Sequence, residues 1–323
     1  MVLSTLLTVV RGFAMGAADI VPGVSGGTIA LILGIYERLI ASIRAGSKAL
    51  GLLLRRDVDG FRAWMGAVDW LFIVPLGVGI LSAVILLASV LRDLLHDRPE
   101  IMSALFLGLV AGSVVIAWRL IRKPRGQHAL IILGVGVASF VLLGLRGGTS
   151  EESVGQIAEP ELWAFFIAGA IAICAMILPG VSGSFLLVIM GMYTPVLAAV
   201  TERDFVALAV FLLGAVVGLA LFSQLLHTAL QRAHDIVLAA LIGLMAGSLR
   251  VLWPWPDGVD STEIGVPEGD VLASVAVAVI GFVVVVVVAR FAQGLEQSTE
   301  HPDAEPHDPA APAPSESRPG APA

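Results

Sequence analysis

Residues Ile20–Tyr36 read IVPGVSGGTIALILGIY, and residues Ile177–Tyr193 read ILPGVSGSFLLVIMGMY. Each copy lies inside an apolar stretch, breaks it with Pro-Gly and restarts it at Ser-Gly. Proline lacks a backbone donor and its ring clashes with the preceding turn, so Pro22 and Pro179 are expected to end helices. Gly23 and Gly180 let the chain turn through angles closed to other residues. Ser25 and Ser182 stand where N-cap hydroxyls would start the helices that follow.

The surroundings place both copies in a membrane. Of 323 residues, 57% are hydrophobic and 14% charged, and the mean hydropathy is +0.93. Soluble domains carry about 25% charged residues. Windows such as Ile101–Ala117 and Val271–Ala289 are almost free of charge. As helices they are long enough to cross a hydrocarbon core of roughly 30 Å. Cys174 is the single cysteine, which excludes an intramolecular disulfide and a cysteine-built zinc site; its apolar flanks read as a packed thiol. The net charge of −7 lies largely in loops and tail, and no nucleic-acid motif is present. The opening MVLSTLLTVVRGFAMG has no basic residue before its apolar run and no cleavage-like site after it, so it reads as mature chain.

Apolar segments between charged or Pro/Gly-rich linkers predict spans at Trp70–Leu91, Ile101–Leu120, Ala129–Leu145, Phe205–Leu226, Ile236–Leu252 and Val271–Phe291. The motif copies interrupt Val2–Ile43 and Leu162–Val200. A basic linker, 44–62, carries Arg44, Lys48, Arg55, Arg56 and Arg62, and an acidic one surrounds Glu151 and Glu152. The Pro/Ala-rich tail cannot bury a core and is expected to be disordered. ALFLGLVAGSVVIAW from Ala104 aligns with AALIGLMAGSLRVLW from Ala239, matching Gly108, Gly112 and Ser113 to Gly243, Gly247 and Ser248. Those glycines are read as close helix contacts.

The expected fold is therefore an all-α polytopic membrane protein built from an internal duplication. Residues 1–145 form the first repeat, 146–295 the second, and 296–323 the tail. Each half consists of a re-entrant helical hairpin plus about three transmembrane helices. Three crossings per repeat is odd, so the second repeat would be inverted relative to the first, as in many transporters. The basic linkers 44–62 and 119–125 are expected on the cytoplasmic side.

The broken helices carry the candidate site. Gly26, Gly27, Gly183 and Ser184 are expected to leave bare N–H groups at helix starts, where the helix dipole favours an anion. Two inverted copies would aim these at one point, suited to a negatively charged head group. The alternative is a tight hairpin whose glycines only pack against a neighbour. Nearby charges are unequal: Arg11, Asp19, Glu37 and Arg38 match Ala168, Met176, Thr194 and Pro195 in the second copy. A charge near the bilayer centre is costly and marks function or faces a cavity. Asp19 either carries a coupling proton or caps the hairpin's N–H groups. Arg11 offers a guanidinium that pairs with phosphate oxygens two at a time. Arg38 is a phosphate contact or an interfacial anchor, and Glu37 beside it a proton carrier or part of that interface. Arg250 is a site residue or a helix-end anchor. His96, His128, His227 and His234 fall near span ends and His301 and His307 in the tail, none paired with acids at metal-ligand spacing. Ser25 and Ser182 lack a sequence-local base. No enzyme centre, metal or cofactor is expected.

Arg11–Ile40, RGFAMGAADIVPGVSGGTIALILGIYERLI, resembles the opening signature of a bacterial and archaeal membrane family of polyprenyl-phosphate transporters, formerly a domain of unknown function. ILPGVSGSFLLVIMGMY and Leu241–Leu249, LIGLMAGSL, also match its pattern, and the resemblance covers roughly Val9–Leu252. It implies translocation of undecaprenyl phosphate across the plasma membrane of a prokaryote, with proton or cation coupling. Gly23, Ser25, Gly26, Gly27, Gly180, Ser182, Gly183 and Ser184, with Arg11 and Arg38, would hold the phosphate; Asp19 and Glu37 would exchange the proton. Two other functions compete. A carrier of a small soluble anion would use the same helix ends. A polyprenyl-pyrophosphate phosphatase would continue its Pro-Gly-x-Ser loop with arginine, where this chain has Gly26 and Gly183.

Overall fold

A computed structural model describes residues 2–20, 24–144, 160–256, 258 and 263–300. Pro22, Gly23, the acidic linker at Glu151 and Glu152, and the tail beyond residue 300 lie outside the described residues. The described residues form helices joined by loops and turns, with no strand among them. In order the helices are α1 (Val2–Asp19), α2 (Gly26–Ile32), α3 (Tyr36–Leu54), α4 (Val58–Gly66), α5 (Trp70–Asp97) and α6 (Pro99–Trp118). Then come α7 (Gly126–Gly144), α8 (Leu162–Ile177), α9 (Gly183–Ile189), α10 (Tyr193–Thr201), α11 (Phe205–Ser248) and α12 (Val271–Glu300).

Helices α5, α6, α7, α11 and α12 are long and apolar enough to cross a membrane. Their outward faces need lipid: Leu71, Ile85, Leu130 and Leu272 are each at least 70% bare. The two spans expected at Phe205–Leu226 and Ile236–Leu252 are two helices joined across a kink, together α11, of 44 residues. At 1.5 Å per residue that is about 66 Å, twice the hydrocarbon core. Its one non-helical residue, Ala233 (φ −145°, ψ 50°), divides it into two spans. No proline or glycine lies between His227 and Asp235 to end the helix outright. The basic linker 44–62 is also helical rather than extended: α3 continues to Leu54, and Asp57 caps α4 by accepting from the Gly60 N–H at 2.8 Å. α12 runs on to Glu300, five residues into the segment expected to be tail.

Burying leucine against leucine gains little where lipid is the solvent, so spans associate through close packing and hydrogen bonds. Glycine supplies the close packing in four helix pairs. On α1 and α5, Gly12 lies against Leu76 and Gly16 against Ile80; on α8 and α11, Phe166 lies against Gly214 and Ala170 against Gly218. Between α6 and α12, Gly108 meets Ala278 and Gly112 meets Phe282. Between α7 and the second part of α11, Ile132 meets Gly243 and Ser139 meets Gly247. The glycines matched across the duplication are thus helix contacts, as read from the sequence. In each pair the numbers rise together, so the partners run in the same direction. The last span of each half packs on the other half, α12 on α6 and α7 on α11.

Two sets of contacts mark the bundle's ends. At one, Asp235 accepts from the Arg122 and Lys123 N–H groups (3.2 and 3.0 Å), His234 Nε2 meets Glu37 Oε1 at 2.7 Å, and Arg38 pairs with Asp69. This gathers the starts of α3 and α5, the α6–α7 linker and the α11 kink. At the other end, beyond the start of α6, Gly258 lies against the Pro99 carbonyl and Ser103. The core between them mixes both halves: Met15, Leu31, Tyr36 and Phe72 pack with Ile177, Leu226, Ile242 and Met245.

Candidate functional site

The first break separates α1 from α2. Ser25 has extended backbone (φ −124°, ψ 137°) and its Oγ accepts from the Gly27 N–H at 3.1 Å, the N-cap expected of it. Asp19, the last residue of α1, reaches back so that its Oδ1 accepts from the Gly26 N–H at 2.6 Å. The Thr28 N–H donates to the Ser25 carbonyl at 2.9 Å. The N–H groups expected to be bare at Gly26 and Gly27 are therefore engaged. A carboxylate of the chain itself takes the place favoured for negative charge. This hydrogen bond is the cap read for Asp19 from the sequence.

The two copies clasp each other. The last carbonyls of a helix have no partner within it, and those of α8 are met by hydroxyls of the first copy. Ser25 Oγ donates to the Met176 carbonyl at 3.0 Å, and the buried Tyr36 hydroxyl donates to that of Ile177 at 3.2 Å. In return the Gly180 N–H donates to Thr28 Oγ1 at 3.0 Å, with Gly180 in the left-handed region at φ +81°. A Cβ at Gly27 would strike the Ile177 carbonyl, so only glycine permits this approach. The copies also end alike: Gly34 and Gly191, at matched positions, share φ +69°.

The second break has no acid. Met176 replaces Asp19 at the matched position, and its side chain lies against Gly183 as the Asp19 carboxylate lies against Gly26. Ser182 Oγ and Ser184 Oγ share a hydrogen bond at 2.9 Å. Asp19, Ser25, Ser182, Gly183 and Ser184 together line one cavity of about 230 Å3, walled on its apolar side by Val24, Ala172, Met176, Val181, Leu187 and Phe211.

Gly26 and Gly27 start the helix beneath this cavity, Gly180 sits in the clasp, and Gly23 lies outside the described residues. Arg11 is half-buried on α1. Glu37 and Arg38 line a different cavity, of about 450 Å3, with Arg122, His227 and His234. There Arg38 Nε donates to Asp69 at 2.8 Å while the guanidinium lies 4.3 Å over the Phe72 ring. Arg250 stacks 4.8 Å from the Phe140 ring at the end of α11. His234 bridges Glu37 and Asp235, the latter 3.0 Å from Nδ1. Asp235, in the turn between the two spans of α11, is held down to about 2, first by the His234 side chain and then by the Lys123 and Arg122 N–H groups.

Sequence reading missed Thr28, Tyr36 and the Glu37–His234–Asp235 bridge. For Tyr36 a signal existed: the chain has two tyrosines, and each closes one copy of the motif. For Thr28 there was none, because the second copy has Phe185 at that position.

Comparison with known proteins agrees with the motifs. The profile of the undecaprenyl phosphate translocase-like family matches residues 15–265. A polyprenyl-phosphate transporter of Vibrio cholerae serotype O1 is 40% identical over 252 residues, 78% of this chain and 79% of that protein. A polyprenyl-phosphate transporter of Staphylococcus aureus is 30% identical over 296 residues, 88% of this chain and 96% of that protein. No solved structure matches.

Proposed function

Because the chain belongs to the undecaprenyl phosphate translocase-like family, we propose that it translocates undecaprenyl phosphate across the plasma membrane of a prokaryote, recycling the lipid carrier for envelope synthesis. The observation that carries the reading is a cavity bordered by both motif copies, with Asp19 and three serines on one side. Ser25, Ser182, Gly183 and Ser184 contact the phosphate there, over the helix starts at Gly26 and Gly27 and the turn at Gly180. Arg11 and Arg38 supply positive charge along the route. Asp19 is the anion already present, and a phosphate entering the cavity meets it. Protonation of Asp19 removes that repulsion, which makes it the coupling group, with Glu37 serving the entrance.

The alternating-access device is an inverted pair of repeats. Four contacts support it. The α6–α7 linker meets the α11 kink through Asp235, and the linker after α11 meets the α5–α6 turn at Gly258 and Pro99. These equivalent points of the two halves thus sit at opposite ends. α1 runs with α5 and so begins at the Asp235 end, to which the chain returns at Glu37 and Arg38 after the break. α8 runs with the first part of α11, towards that end, and so begins at the other. On this reading one hairpin opens to each side. Arg44, Lys48, Arg119, Arg122, Lys123 and Arg125 support placing the Asp235 end in the cytoplasm.

Leaflet exchange of a labelled polyprenyl phosphate in proteoliposomes, with and without a pH gradient, tests the function. The same vesicles are assayed for phosphate release from the pyrophosphate form. Exchange without release is expected. Release would establish an enzyme, and absence of exchange with folded protein would refute the lipid substrate.

A further inference from the structure

The loop of the second motif copy has two unlike sides. Ser182, Gly183 and Ser184 face the polar cavity, whereas Leu178 and Leu186 face an apolar groove of about 420 Å3 between α8 and α11. Val181 lines both. Small residues, Ala170, Cys174 and Gly218, help form the groove, while Ile171, Leu221 and Leu225 line it and are 39%, 66% and 65% bare towards the surrounding lipid. A polar chamber joined across one side chain to a lipid-facing apolar groove has the shape of an amphiphile with a single anionic head.

From this we propose that the groove between α8 and α11 is the binding site for the first isoprene units of the polyprenyl chain, entered past Val181 while the phosphate occupies the polar cavity. The proposal rests on the lipid-phosphate reading above and adds where the tail goes. Two physical reasons select this occupant. A chain attached to a phosphate in the cavity must leave through an apolar wall, because running it through the charged cavity of Glu37, Arg38 and Arg122 would strand apolar surface against ions. A branched isoprenoid also fits the groove's uneven floor, where Ala170, Cys174 and Gly218 lie between larger apolar side chains, gaining contacts that a smooth surface would not give. The head group is then handed between the hairpins while the tail stays in lipid, tethered along the second half.

Farnesyl phosphate carrying a diazirine on its second isoprene unit tests the placement, irradiated with the full-length chain in lipid nanodiscs and mapped by peptide sequencing. Adducts are expected in 170–178 and 218–225, competed away by unlabelled polyprenyl phosphate and not by inorganic phosphate. Cys174, the one thiol in the chain, gives a second readout: its alkylation by a lipid-soluble maleimide should slow several-fold when polyprenyl phosphate is bound. Adducts confined to other helices, or no adducts and no protection, while leaflet exchange proceeds, would overturn the groove and leave the transport reading standing. Loss of exchange itself would instead refute the transport reading. Competition by inorganic phosphate at the same adducts would show a head-only site and also overturn the proposal.

Discussion

Replacing Thr28 by valine tests whether the two motif copies are held together by the clasp. Valine keeps the shape of threonine and removes the Oγ1 that accepts from the Gly180 N–H at 3.0 Å. Thr28 is 1% exposed, and the Met245 backbone crowds Gly180, so little room remains for a replacement acceptor. A buried donor left unpaired costs about 1–3 kcal/mol, equivalent to a loss of about 5- to 150-fold in local protection. Thr28→Ser is the complement: it keeps the hydroxyl and loses a methyl, about 0.8 kcal/mol or roughly fourfold. Amide hydrogen exchange resolved at Gly180 separates the two. Protection should collapse in the valine variant, hold within that smaller factor in the serine variant, and leaflet exchange should fall with the clasp. Equal protection of Gly180 in Thr28→Val and the unaltered chain would refute the hydrogen bond and the coupling built on it.

Asp19→Asn retains an oxygen for the Gly26 N–H, so the fold should persist while the response of transport to a pH gradient disappears; an unchanged pH response would remove Asp19 from coupling. Gly26→Ala would press on the Asp19 carboxylate and Gly183→Ala on Met176. Both should weaken polyprenyl-phosphate binding in a filter assay, and loss from one alone would argue against a shared cavity. At the kink of α11, the Asp235 carboxyl is held down to about 2. Its docking of the α6–α7 linker is fully present above the ordinary carboxylate range and is lost as the pH falls towards 2. Protection of the Arg122 and Lys123 amides should fall over that window, and a flat profile would contradict the assignment.

Properties carried by neighbouring residues were legible without tertiary structure. Hydropathy located the spans, Pro-Gly located the breaks, Ser25 announced its cap, and the paired Gly-x3-Gly-Ser segments revealed the duplication and close packing. Each depends on a few contiguous residues and the solvent around them. The tertiary structure decided which partners those local features meet. Which N–H the Asp19 carboxylate would cap was decided only when α1 and α2 folded back and set it on Gly26. Arg38 had the right charge for phosphate but starts α3 beside Asp69 and Phe72 rather than in the motif cavity. Gly108 required a close neighbour, yet only the assembled bundle makes that neighbour α12 from the other half. The clasp of Ser25, Thr28 and Tyr36 joins residues about 150 positions apart. α2 and α9 have seven residues each, too short to fix their own course, so what they pack against sets where the chain goes after each break.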